Sequence, residues 1–286
     1  MVNEKDVREV ASRVRLVCLD LDGTLLGPDK RVSAGNRAAI ERAVAAGLTV
    51  AVASGRHPFN ICELMDELGL SHTAVCLSGA YAMLDGREVH RHALPDAIVA
   101  QVIDIVEAEG CYLSLAGADF NLMAGSIRRA GGETPATRRY LRCESYDALR
   151  AAAAERSGLI LKGATHAEDP AAYERLRERL RTVPGLEVAQ SDVGWSDVCA
   201  AGCSKAEGIE ALAGALGLTM AEVAAVGDDE NDVASLGAVG LGIAMGNALA
   251  EAKAAARLTV ADNAHDGVAE AIDLVLGART RTQAQA

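Results

Sequence analysis

Four short apolar runs in this sequence each stop at a polar residue. Residues 14–19 end at Asp20, 48–53 at Ser54-Gly55, 74–77 at Ser78-Gly79 and 223–226 at Gly227-Asp228. Runs this short suit strands buried on both faces rather than helices. Helical patterns fall between them, at 33–46 before Gly47, at 58–68 before Gly69, and at 204–216. Helices alternating with buried strands imply a parallel sheet covered on both sides. Ligands of such open sheets bind beyond the carboxyl ends of the strands. Asp20, Ser54, Ser78 and Asp228 are therefore predicted to converge on one edge, although they are far apart in the chain.

The rhythm continues late, with a short helix at 231–236, a strand at 239–244, and helices at 248–257 and 267–276 before a polar tail. The middle is different. Strands of mixed polarity are predicted at 88–92, 111–116, 120–124, 159–163, 186–191 and 195–200, with helices at 96–109, 146–156 and 170–182. This reads as an α+β module, 84–199, inserted into an α/β domain formed by 1–83 and 200–286. The segment 125–135, rich in Gly and Arg, is the loosest stretch.

Composition narrows the partners. Half of the 286 residues are hydrophobic, which supports a packed core, but only 3% are aromatic, so stacking platforms are few. The net charge is −12. Nucleic-acid binding needs a basic stripe, and the only Arg-rich stretch is the short one around Arg138 and Arg139. An anionic ligand would need a local positive charge or a cation. Seven cysteines are scattered without a disulfide framework. Cys199 and Cys203 read as ordinary buried thiols rather than as half of a zinc site. The charged N-terminus lacks an apolar signal core, and no stretch is long enough to span a membrane, so a cytoplasmic protein is expected.

Three segments carry chemistry. In D-L-D-G-T, Asp20 and Asp22 lie two residues apart, and Gly23 and Thr24 suit a turn. Two adjacent carboxylates can divide their roles, one as an ionised nucleophile and one as a proton donor. In G-D-D-E-N-D, 227–232, four acids and an amide directly follow a buried strand. A hard divalent cation with oxygen ligands would relieve their repulsion. Lys205 begins a helix behind the cap Ser204, with Glu207 completing an S-x-x-E box. Ser54 and the backbone N–H groups of the following Gly55-Arg56 can hold phosphoryl oxygens.

These residues, in this order, resemble the four motifs of the haloacid dehalogenase superfamily: D-L-D-G-T at 20–24, A-S-G-R at 53–56, Lys205, and G-D-D-E-N-D at 227–232. The long insert, the run A-M-G-N-A at 244–248 and D-G-V-A at 266–269 are similar to the Cof-like type IIB group. The resemblance implies a Rossmann-like core with a type IIB cap, and a phosphatase that uses Mg²⁺. It implies that Asp20 attacks phosphorus and that Asp22 acts as acid and then base. Ser54, Gly55, Lys205 and Asn231 would bind the phosphoryl group. Asp20, the carbonyl of Asp22, Asp228 and Asp229 would bind the metal, with Asp232 supporting Lys205 or its loop. The implied substrate is a small phosphorylated metabolite such as a sugar phosphate, with no nucleic acid or membrane partner and a monomeric or homodimeric protein. A phosphotransferase or mutase of the same superfamily is the alternative enzyme. A phospho-receiver module or an inactive binding protein is the alternative of another class. Ser78-Gly79-Ala80 departs from the usual Asn-Gly-Ala of the group.

Overall fold

The computed structural model describes residues 4–125 and 140–283. Arg138, Arg139 and nearly all of the 125–135 segment lie outside them. The chain forms two compact units, one of residues 1–56, 61–90 and 204–286 and one of residues 57–60 and 91–203.

The first unit opens with α1 (Glu4–Arg13), then β1 (Leu16–Leu19), α2 (Ala34–Ala45), β2 (Thr49–Ala53), α3 (Pro58–Leu68) and β3 (Ala74–Cys76). All four β1 residues are buried, as are the last four of β2. Ser33 caps α2 by accepting the Asn36 N–H. After β3 the backbone takes three successive left-handed conformations, at Leu77 (φ 52°), Ser78 (φ 61°) and Gly79 (φ 109°). This reverses the chain into β4 (Tyr81–Leu84), antiparallel to β3, and then β5 (Arg87–Arg91). Gly79 is required by space as well: a Cβ there would lie 1.9 Å from the Ser204 carbonyl oxygen. Sequence reading ended the domain at residue 83 because the mixed polarity of β5 does not look like a core strand. Both β4 and β5 nevertheless extend the first sheet.

The second unit contains α4 (Asp96–Ala108), β6 (Tyr112–Ala116), β7 (Asn121–Ala124), β8 (Tyr140–Arg142), α5 (Tyr146–Ala154), β9 (Lys162–His166), α6 (Pro170–Arg181), β10 (Leu186–Asp192) and β11 (Trp195–Ala200). Its six-stranded sheet runs β10-β11-β9-β6-β7-β8. Leu113, Leu115, Leu122 and Val198 of the sheet share a core with Val99, Val102 and Ile103 of α4, Leu149 of α5, and Tyr173 and Leu176 of α6. The helices thus cover one face, and the alternate residues, including Ser114, Lys162 and Asp197, belong to the other.

The chain returns through α7 (Lys205–Ala215), β12 (Val223–Gly227), α8 (Val233–Ala238), β13 (Leu241–Ala244), α9 (Ala250–Ala255), β14 (Leu258–Thr259) and α10 (Gly267–Gln283). The eight-stranded sheet has the order β14-β13-β12-β1-β2-β3-β4-β5. From β14 to β3 every pairing is parallel. β1 is central, with Leu19 paired to Val226 of β12 and to Val52 of β2. The carboxyl ends that carry Asp228, Asp20 and Ser54 are therefore side by side. No helix among the described residues is long and apolar enough to cross a membrane.

Candidate active site

Asp20 is the first residue past β1, and its N–H donates to the Val226 carbonyl at 3.0 Å. The site centres on Lys205, which is only 1% exposed. It is the first residue of α7, where Ser204 caps the helix by accepting the Glu207 N–H. Its ammonium donates to Asp20 Oδ1 at 2.6 Å and to Asp232 Oδ1 at 2.7 Å. A buried lysine needs such partners, because an unpaired charge is costly out of water. The second oxygen of Asp232 accepts the backbone N–H groups of Asp228 and Asp229, at 3.0 and 3.2 Å. Asp232 is thus fully engaged in tying Lys205 to the acidic loop.

Asp228 is held from two sides. Thr24 donates its hydroxyl to Oδ1 at 2.7 Å, and Asn247 donates its amide to Oδ2 at 3.3 Å and to the Gly23 carbonyl at 2.8 Å. The Thr24 hydroxyl thus bonds across the sheet edge. Gly23 has φ 83°, and a Cβ there would come 2.1 Å from Asp228 Oδ2. Only glycine lets the D-L-D-G turn lie against that carboxylate.

The carboxylates brought within 4.8 Å of one another are those of Asp20, Asp228 and Asp232. Asp229 is exposed, and its side chain accepts the Glu230 N–H at 2.8 Å, which draws it toward its own short helical turn. Asn231 is exposed on that turn, outside the hydrogen-bonded group.

Asp22 faces a different pair of cations. Arg56 donates Nε and Nη2 to its two oxygens, each at 2.8 Å, and Lys30 adds a contact at 3.0 Å. Ser54 is buried, and its hydroxyl accepts the Arg56 N–H at 3.3 Å. The Ser54 carbonyl receives the Ser78 N–H, and the Arg56 carbonyl receives the Leu77 N–H. The left-handed turn after β3 thereby braces the loop after β2. His57 is not part of this group: its Nε2 lies 3.0 Å from the Phe120 carbonyl, and its Nδ1 accepts the Phe59 N–H. That arrangement fixes a neutral ring with the proton on Nε2.

Electrostatics separate the two aspartates of the first motif. Burial pushes Asp20 up to about 7, against the opposing pull of Lys205, and Asp232 and Asp228 push it further. Burial also raises Asp228, to about 6, against the Thr24 hydrogen bond. Burial raises Asp22 too, but the Arg56 and Lys30 contacts outweigh it and hold that carboxyl below the usual range. Lys205 is raised: burial alone would lower it, and Asp20 and Asp232 overcome that. Buried carboxylates whose charge is this unfavourable, presented with only oxygen donors, fit a hard divalent cation.

Sequence reading missed the grip of Asn247 and Thr24 on Asp228 and that of Lys30 and Arg56 on Asp22. The only signal for Asn247 was its place in A-M-G-N-A, beyond a strand next to β12.

Comparison with known proteins points to one family. A family model for haloacid dehalogenase-like hydrolases matches residues 17–272. A pyridoxal phosphate phosphatase of Escherichia coli (strain K12) is 28% identical over 266 residues, covering 90% of this chain and 97% of that protein. A 5-amino-6-(5-phospho-D-ribitylamino)uracil phosphatase of Bacillus subtilis (strain 168) is 29% identical over 261 residues, covering 91% and 94%. The solved structure of a subclass IIB sugar phosphatase superposes with a TM-score of 0.76 at 22% identity, covering 93% of this chain and all of that one.

Proposed function

This chain belongs to the haloacid dehalogenase-like hydrolases and is a phosphatase with a subclass IIB fold, and we propose that it hydrolyses a small phosphomonoester with Mg²⁺ through an aspartyl-phosphate on Asp20. The observation that carries this reading is the buried Lys205 held between Asp20 and Asp232 at the carboxyl ends of β1 and β12.

In this reading Lys205 and Ser54, with the Gly55 N–H and Asn231, neutralise and orient the phosphoryl oxygens. Phosphoryl transfer asks chiefly for such positioning and charge neutralisation. Asp20 attacks phosphorus in line with the leaving oxygen. Asp22 protonates that oxygen, then takes a proton from the water that cleaves the acyl phosphate. Because Arg56 and Lys30 hold Asp22 ionised, it must loosen from them to carry a proton. Asp20, the backbone carbonyl of Asp22 and Asp228 would hold Mg²⁺, with Asp229 turning from its cap to assist. The ion supplies charge neutralisation at the transferring group. Asp232 keeps Lys205 and the acidic loop in place.

The two relatives named for a substrate act on different phosphorylated metabolites. What they share with a sugar phosphatase is the phosphomonoester, which is the part the core residues would read. The test is phosphate release from a panel of phosphorylated sugars and cofactors. Release that requires Mg²⁺, stops with EDTA and is lost in Asp20→Asn is expected; equal turnover by that variant would overturn the reading.

A further inference from the structure

Two asparagine side chains join four loops at the carboxyl edge of the first sheet. One loop follows β1, one follows β12 and carries Asp228, one follows β13 and carries Asn247, and one follows β14 and carries Asn263. Backbone bonds set the Asn247 loop in place. The Gly246 N–H donates to the Ala261 carbonyl at 3.1 Å, and the Leu249 N–H to the Asp228 carbonyl at 2.9 Å.

The Asn247 amide is fixed in one orientation. Its Oδ1 accepts the Asn263 N–H at 3.0 Å, and its Nδ2 donates to the Gly23 carbonyl as well as to Asp228 Oδ2. A backbone N–H can only donate and a carbonyl can only accept, so reversing the amide would lose both backbone bonds. Thr24 takes the other oxygen of Asp228. The carboxylate is therefore oriented at both atoms, and its remaining lone pairs have a set direction.

Asn263 reaches Asp228 only through Asn247. Its own Nδ2 donates to the Leu26 carbonyl at 2.9 Å. Leu26 stands at the foot of the tight loop 26–32, where it bridges Val32 across the loop and Asp22 in the first motif. Within that loop Lys30 takes the left-handed conformation (φ 60°) and reaches back to Asp22. Asn263 thus stands between the loop that carries Lys30 and the amide that orients Asp228.

We propose that Asn263 is a positioning residue for the metal site. By holding Leu26 with its side chain it fixes its own N–H, which sets the Asn247 amide and, through it, the Asp228 carboxylate. This rests on the reading of Asp228 as a Mg²⁺ ligand. Loss of a group that orients a ligand weakens metal binding about 10- to 100-fold. Asn263 acts one bond further away and belongs at the lower end.

The test is Mg²⁺ binding to the intact protein, followed by titration calorimetry without substrate. Asn247→Ala and Asn263→Ala are each expected to raise the Kd about tenfold. Because Asn263 acts through Asn247, the double variant is expected to bind no more weakly than Asn247→Ala alone. Asn263→Leu keeps the size of the side chain without its donor and is expected to match Asn263→Ala, so a packing defect in the alanine variant does not decide the outcome. Asp228→Asn gives the reference for loss of a ligand. An unchanged Kd in both Asn263 variants, or losses that multiply in the double variant, would overturn the proposal, while weak binding by Asp228→Asn would leave the metal reading standing. If Asp228→Asn binds Mg²⁺ as tightly as the unaltered protein, that reading fails and the proposal with it.

Discussion

Lys205 is the residue on which this site depends. It places one positive charge between two buried carboxylates, so removing it would leave both uncompensated. Lys205→Met should therefore cost about 3–5 kcal/mol of folding stability in urea denaturation, as for other broken buried ion pairs. It should also remove phosphatase activity. Asp22 makes a separate prediction. Its carboxyl is held low by Arg56 and Lys30, and a general acid must be protonated to act. Arg56→Gln should raise the Asp22 pKa, so the alkaline limb of the kcat profile should move to higher pH. An unshifted limb would mean that Asp22 is not the proton donor. Asp20 and Asp22, Ser54, Lys205 and the acidic loop were legible in the sequence as candidates, because each punctuates an apolar run or starts a helix. Their mutual contacts were not legible. Thr24 and Asp228 are separated by 204 positions, and only the β12-β1 pairing brings them together.

At the scale of elements, helices and strands flanked by turn residues were read well. Pro58–Leu68 and Trp195–Ala200 have the bounds expected from their patterns. The strand expected at 159–163 lies instead at Lys162–His166. The apolar Ile160 and Leu161 precede it and are buried in the approach to the strand, so hydrophobicity pointed a few residues too early. The helix from Gly267 runs on to Gln283, past the polar composition that signalled its end. The turn after β3 could not be foreseen, since neither Leu77 nor Ser78 favours a positive φ. A non-glycine residue there costs about 1–2 kcal/mol. Ser78→Gly should recover about 1 kcal/mol of stability, seen as a raised denaturation midpoint with unchanged slope. Loss of stability instead would show that the Ser78 side chain contributes more than its backbone strain costs.

For the whole molecule, charge and metal are linked. Asp20 and Asp228 have folded pKa values raised to about 7 and about 6. Such groups contribute most to stability below their unfolded values, and that contribution is lost as pH rises through about 6 to 7. A bound cation favours the ionised carboxylates and opposes this loss. Mg²⁺ should therefore raise the Tm more at about pH 8 than at about pH 5. At a hundredfold excess over its Kd the gain should be about 2.7 kcal/mol. Equal shifts at both pH values would separate the cation from these carboxylates.

In the proposed mechanism Asp20 becomes phosphorylated during turnover. Enzyme mixed with Mg²⁺ and p-nitrophenyl phosphate can be quenched in acid within a turnover and reduced with borohydride, which converts an aspartyl-phosphate to homoserine. Homoserine is expected at position 20 and at no other aspartate, with none formed in Asp20→Asn. Steady turnover with position 20 recovered as aspartate, or homoserine at Asp22 or Asp228, would contradict it.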